Sequence, residues 1–238
     1  MNFAYLNLKN HPRGNVILRE LVQQGFVPSI IIEEDSVLAQ KSIANFATIK
    51  NLPTDFFPTS AQDIIANFNI PLAHVANHND ENCENLLKRF APDLIVLGDV
   101  RIIKKNIRDI PTIGTINSHP GYLPDVRGNN PYIWAIIHDL PQGCSIHFID
   151  ENIDTGDILL REEIPAKTYK SYPDLLQKIN NLCAELMVKA LRQIVAKEHN
   201  PLNQTTLEFI RENYSAQEFS AAPYEVKEEA IRRLEAQC

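Results

Sequence analysis

The sequence predicts an open α/β sheet, mostly parallel, with antiparallel strands at its C-terminal end and helices on both faces. Three observations carry this. Short apolar runs alternate with helix-like stretches through the first half of the chain, as βαβ units do. The runs around Ile30-Ile31-Ile32 and Leu94-Ile95-Val96-Leu97 are unbroken by polar residues, as in strands covered on both faces. In the later half the rhythm changes: two strands flank a polar turn, and a long amphipathic helix follows.

Taken in order, Phe3 to Leu8 reads as the first strand. Lys9 to Asn15 reads as a turn and Val16 to Gln24 as a helix ended by Gly25. A loop between strand and helix offers outward backbone N–H groups to an anion. Arg13 and Lys9 would add charge there; a solvated turn with two surface cations reads the same residues equally well. Val27 to Glu33 is the second strand. Ser36 to Phe68 is helical in pieces, broken at Pro53 and Pro58, and Pro71 to Val75 is a weak third strand. His74 and His78, at its end, read as structural or exposed. Asn82 to Phe90 carries Leu86, Leu87 and Phe90 at helical spacing, and Asp93 to Gly98 is the clearest central strand.

Gly114 to Asn117 is a short buried strand stopped by Pro120-Gly121. Asn117 and His119, two apart, project to one side at its carboxyl end. Ligands sit at that end in open α/β sheets. An amide beside an imidazole offers two donors to one oxygen, the equipment of an oxyanion site. A turn with a capping Asn and a surface His is the plainer alternative. The loop Tyr122 to Pro131 opens a helix, Tyr132 to Asp139, whose Trp134 reads as core. Arg127 on that loop suits either a phosphate clamp or a brace. Ser145 to Ile149 and Asp157 to Ile164 read as strands around a turn holding Asp154. That carboxylate would orient and charge-tune His119, although an ordinary Asp/Gly turn also explains it locally. Asp174 to Ala196 is a long helix with an apolar face.

Asn200-Pro201 marks a boundary, giving a domain over residues 1–200 and an extension over 201–238. In the extension Arg211, Lys227, Arg232 and Arg233 face seven glutamates, Glu212 among them, and Tyr224 to Ala236 reads as a short helix.

The pattern N-x-H-P-G-x-L-P…R-G-x-x-P, followed by G-x-x-x-H-x-I-D-x-x-I-D-T-G-D-I, resembles the core of the 10-formyltetrahydrofolate-dependent formyltransferases. The resemblance runs from Asp93 to Ile164 and implies a Rossmann-like formyltransferase fold. It implies Asn117, His119 and Asp154 as the catalytic trio. It also implies that Gly98, Arg101, Ile102 and Ile103 hold the pterin of N10-formyltetrahydrofolate, largely through backbone. Asp150, Glu151, Asn152 and Ile153 would close the other side of that pocket, and no metal is required. The Gly-rich phosphate loop of the purine-pathway transformylase is absent, and the tail is too short and acidic for the RNA-binding domain of the tRNA formyltransferases. The chain therefore looks closest to the sugar N-formyltransferases. That points to a nucleotide-linked amino sugar as the small-molecule amine, with Arg13 and Arg127 on its phosphates. A glycinamide-ribonucleotide-like acceptor and a non-catalytic folate-binding module are the alternatives.

Bulk properties limit the partners. A formal charge of −7 disfavours nucleic acid, whose binders carry basic faces. No apolar run approaches the roughly 18–20 residues of a membrane span, and no secretion signal precedes the first strand. Cys83, Cys144, Cys183 and Cys238 have neither zinc nor disulfide spacing, so the expected setting is the reducing cytoplasm. A homodimer is compatible with all of this.

Overall fold

The computed structural model describes residues 1–57, 59–209 and 214–237; Pro58, Arg211, Glu212 and Cys238, named above, lie outside them. The strands are β1 (Phe3–Leu8), β2 (Ile30–Glu34), β3 (Leu72–Val75), β4 (Leu94–Leu97), β5 (Gly114–His119), β6 (Gly143–Phe148) and β7 (Ile158–Glu163). They form one sheet in the order β3-β2-β1-β4-β5-β6-β7. All pairings from β3 to β5 are parallel, while β5–β6 and β6–β7 are antiparallel.

Alternation along β1 builds a core on both faces. Phe3 and Tyr5 join one buried cluster with Ile31, Leu94 and Val96, and Ala4 and Leu6 join the other with Ile30, Ile32 and Ile95. The first cluster is covered by α1 (Pro12–Gln23) and α7 (Tyr172–Ala196). The second is covered by α4 (Glu81–Phe90), through Cys83 and Leu87, and by the one-turn α5 (Lys105–Arg108), through Ile107. The broken stretch between β2 and β3 contains α2 (Val37–Ala47) and the short α3 (Ala61–Ile64). The remaining α-helices among the described residues are α6 (Pro131–Ile137) and α8 (Tyr224–Gln237), which pack together.

Among the boundaries that differ from the sequence reading, two have clear local causes. α1 begins at Pro12, not Val16, because proline at the first helical position is pre-set in φ and has no N–H to lose. Arg13 therefore lies in the first turn of a helix. β2 begins at Ile30: Pro28 cannot donate to a ladder, and the first link to β1 is Ser29 N–H to the Phe3 carbonyl at 2.9 Å.

The chain leaves β1 toward β2 and β3, then returns on the other side of β1 to β4. The carboxyl ends of β1 and β4 thus flank the topological switch point. Register sets Leu97 of β4 beside Asn117 of β5, and Asn117 opposite His147 of β6. Beyond residue 200, Leu202 exchanges two backbone hydrogen bonds with Ile158 at 2.8 Å each. Ala222, Ala230 and Leu234 are buried in the same cluster as α1 and α7. Full burial of a leucine such as Leu234 contributes roughly 1.5–3 kcal/mol. Among the described residues no helix is long and apolar enough to cross a membrane.

Candidate active site

β5 carries Asn117 and His119 at its carboxyl end. His119 is buried, and its Nε2 lies 2.8 Å from the Val126 carbonyl oxygen, which can only accept. Nε2 therefore carries the proton, and Nδ1 is the nitrogen left for chemistry. Nδ1 lies 3.5 Å from Asp154 Oδ2. Gly121 permits this packing, since a Cβ there would approach His119 Nε2 to 2.7 Å.

β6 adds a residue that the sequence reading passed over. His147 Nδ1 donates to the Phe148 carbonyl at 2.8 Å, so in the neutral ring Nε2 accepts, here from Asn117 Nδ2 at 3.2 Å. Burial pushes the His147 pKa down, against the pull of the Asp154 charge, and so favours that neutral ring. The bond turns the Asn117 amide and leaves it a second N–H. His147 Nε2 is also 3.6 Å from Asp154 Oδ1. The signals that could have flagged it are the H of the G-x-x-x-H-x-I-D pattern, which falls on His147, and the polar alternation of Ser145 and His147 on this apolar strand.

Asp154 sits between the two imidazoles on the turn from β6 to β7. Its φ of 56° lies in the left-handed region. That region costs an L-residue about 1–2 kcal/mol and is visited chiefly by Gly, Asn and Asp. The Gly128 N–H donates to Asp154 Oδ2 at 2.8 Å, fixing the carboxylate from the neighbouring loop. The turn runs close under β6: a Cβ on Gly156 would come within 1.9 Å of the Phe148 carbonyl oxygen.

Gly98 follows β4 directly, its N–H bonded to the Leu6 carbonyl at 2.9 Å. The Arg101 guanidinium is held bidentately by the buried Glu34, with Nε to Oε2 at 2.6 Å. Its side chain is thereby committed, while its backbone lies outside any helix or strand. Ile103 is buried, whereas Ile102 is 69% exposed. Asn79 ties this segment down, donating to the Ile102 carbonyl at 2.9 Å and accepting from Lys104 N–H at 2.7 Å. On the opposite segment Asp150 Oδ1 accepts from Asn152 N–H at 3.0 Å and Thr155 Oγ1 at 2.6 Å; Glu151 is exposed and Ile153 half-buried.

The two arginines are engaged within the protein. Arg13 pairs with Asp99, whose Oδ2 is also 3.5 Å from His11 Nε2. Arg127 Nη2 donates to Gln204 Oε1 at 2.9 Å, and its guanidinium lies 5.5 Å from the centre of the Tyr214 ring. Of the two uses the sequence left open for Arg127, bracing the loop is the one these contacts form. His78 is fully buried with Nε2 3.2 Å from the Ile32 carbonyl, and His74 is 46% exposed at its side chain. The Trp134 ring is buried and stacks on His138.

An amide, two imidazoles and a carboxylate gathered at the carboxyl rim of a Rossmann-like sheet form an acid–base centre suited to an oxygen that gains charge. The chain belongs to the formyl transferase family, which its residues 36–191 match. Methionyl-tRNA formyltransferase of Syntrophus aciditrophicus is 36% identical over 133 residues, covering 55% of this chain and 43% of that protein. The chain spans about half the length of the curated relatives it matches. Its fold resembles a sugar N-formyltransferase from Shewanella, with a TM-score of 0.65 at 18% identity over 98% of this chain and 88% of that one. It also resembles the formyltransferase PseJ from Anoxybacillus kamchatkensis, solved with UDP-4,6-dideoxy-4-formamido-L-AltNAc and tetrahydrofolate. There the TM-score is 0.50 at 23% identity, over 62% of this chain and 78% of that one.

Proposed function

We propose that the protein moves the formyl group of N10-formyltetrahydrofolate to the amino group of a nucleotide-linked amino sugar. The observation that carries this reading is Asp154 set between His119 and His147, with Asn117 oriented by His147. The donor set suits the folate. Between Gly98 and Lys104 the backbone is outside any ladder, beside an exposed Ile102. The ends of this segment are tied to β1 and Asn79, and the backbone around Arg101 and Ile103 between them would face the edge of a flat heterocycle, with the apolar Ile102 on its face. In this reading Gly98, Arg101, Ile102 and Ile103 hold one side of the pterin, and Asp150 to Ile153 close the other.

Bound there, the co-substrate supplies a formyl carbon that an amine adds to, with charge gathering on its oxygen. The free N–H of Asn117 and the protonated Nδ1 of His119 would donate to that oxygen. Asp154 would hold His119 in place and relay the proton released by the amine toward N10 of the folate, whose bond to the formyl carbon breaks as the new C–N bond forms. Residues 1–200 would carry this chemistry, with 201–238 as an extension, and the setting would be the cytoplasm.

The near-complete fold match to a sugar N-formyltransferase and the acidic charge support the sugar acceptor. The identity to the methionyl-tRNA enzymes supports the second reading, a tRNA acceptor. A phosphorylated sugar would recruit Arg13 and Arg127 only by loosening their pairings with Asp99 and Gln204. The test is incubation with 10-formyltetrahydrofolate and a panel of nucleotide amino sugars, glycinamide ribonucleotide and methionyl-tRNA, reading folate absorbance and acceptor mass. A gain of one formyl group on a nucleotide sugar is expected. Formylation of the tRNA alone would replace the sugar reading, and folate binding without transfer to any amine would favour a binding module.

A further inference from the structure

The extension beyond residue 200 reaches the acid–base centre through one buried side chain. Gln204 is 2% exposed, and all of its amide is used. Nε2 donates to the carbonyl of Asp154 at 3.0 Å and to that of Gly156 at 2.7 Å, while Oε1 accepts from Arg127 Nη2 at 2.9 Å. The two carbonyls belong to the left-handed turn that presents the Asp154 carboxylate. Arg127 belongs to the loop whose Val126 carbonyl fixes His119 and whose Gly128 N–H fixes Asp154. Gln204 thus joins the two segments that set the distance between carboxylate and imidazole. Two further extension contacts grip the loop: Asn129 N–H bonds the Glu218 carbonyl at 2.7 Å, and Ala222 N–H bonds Asn130 Oδ1 at 3.0 Å.

We infer that Gln204 is a positioning residue for formyl transfer, holding Asp154 and the His119-fixing loop in one mutual geometry; this rests on the function proposed above. A glutamine is suited to the place because a single planar group must donate twice to the turn and accept once from the loop. Asp154 makes no direct bond shorter than 3.5 Å to either imidazole, so its alignment depends on the backbone that carries it. Misplacing a catalytic group by about 1 Å costs on the order of 10²-fold in rate.

The test uses the full chain with Gln204→Met, which keeps the length and removes all three bonds. Gln204→Glu, which keeps the acceptor for Arg127 but loses both donors to the turn, serves as a second variant if the first does not fold. Turnover, affinity for the unreactive 5-formyltetrahydrofolate, and the NMR titration of the His119 and His147 imidazoles are measured on each preparation. The expected result is a fall in kcat on the order of 10²-fold, with folate affinity held and both imidazole titrations displaced. Glu resembling Met would locate the effect in the two donors to the turn. Wild-type kcat with unmoved titrations overturns the inference, as does an equal loss of kcat and folate affinity, which would mark a collapsed pocket. Absence of transfer by the wild-type protein would sink the functional reading alone, because the titrations still report the positioning.

Discussion

Two carboxylates at the same rim of the sheet have nearly the same neighbour and opposite fates. Asp99 lies 3.5 Å from an imidazole, that of His11, and Asp154 lies 3.5 Å from that of His119. Asp99 also holds the Arg13 guanidinium, whereas the ion-pairing partners of Asp154 among the described residues are the two histidines. The consequence shows in His11. Burial lowers its pKa to about 4, and Arg13 opposes the pull that Asp99 exerts in the other direction. The pull of Asp99 on the His11 proton remains, but burial outweighs it and Arg13 weakens it further. Asp154 has no permanent cation beside it, yet at His147 burial still outweighs its pull. The first cluster is a fixed ion pair at the switch point, and the second, whose carboxylate has no permanent cation, is the one the proposed chemistry uses.

The largest expected effect separates the two clusters by chemistry. Asp154→Asn preserves shape and the bond from Gly128 but removes the charge, so kcat should fall roughly 10²–10⁴-fold, with an unfolding midpoint near wild type. Steady-state transfer and thermal melts on one preparation decide it, and an active variant would remove Asp154 from the chemistry. Asp99→Asn should do the reverse in kind. It leaves Arg13 largely buried without its counter-charge, a loss of about 3–5 kcal/mol in stability where one partner of a buried pair is deleted. Denaturant unfolding reads this directly, and a change below 1 kcal/mol would show that the pair behaves as a surface contact.

The smallest effect is a pH dependence. Above about pH 6.5 His11 is neutral in both the folded and unfolded chain. As pH falls from there to about 4 the unfolded chain takes up a proton that the folded one refuses. The stabilising share of the neutral, buried ring is thus present above pH 6.5 and is lost toward pH 4, about 3 kcal/mol in all. His11→Gln should flatten that part of the acid limb in a series of melts between pH 7 and pH 4. An unchanged limb would mean that His11 charges in place, with Asp99 free enough to hold its proton.

What the sequence disclosed was what lies close along the chain. The two-residue step from Asn117 to His119 follows from strand geometry, and the mixed sheet follows from the change of rhythm after residue 114. What it withheld was set by register and by distant docking. His147 faces Asn117 only because β6 runs antiparallel at that register. Arg13 reads as a loop cation as long as Pro12 reads as a turn residue rather than a helix start, and its partner Asp99 lies 86 positions away. Gln204 has no local pattern at all; its polarity is explained only by carbonyls 50 and 48 residues earlier.

Those separations bear on the order in which the molecule assembles. Contacts between residues far apart along a chain close late, because the intervening loop must first give up its freedom. The pairing of β1 with β4 is complete by residue 97, but the face of the sheet bearing Tyr5 and Val96 is covered only once α7, ending at Ala196, has been made. The turn carrying Asp154 acquires its last anchors only after residue 204 has left the ribosome, and the loop beside it only after residue 222. The helix that covers that face and the glutamine that anchors the turn thus follow one another along the chain, so the scaffold closes and the turn is anchored in the same late stretch of these residues.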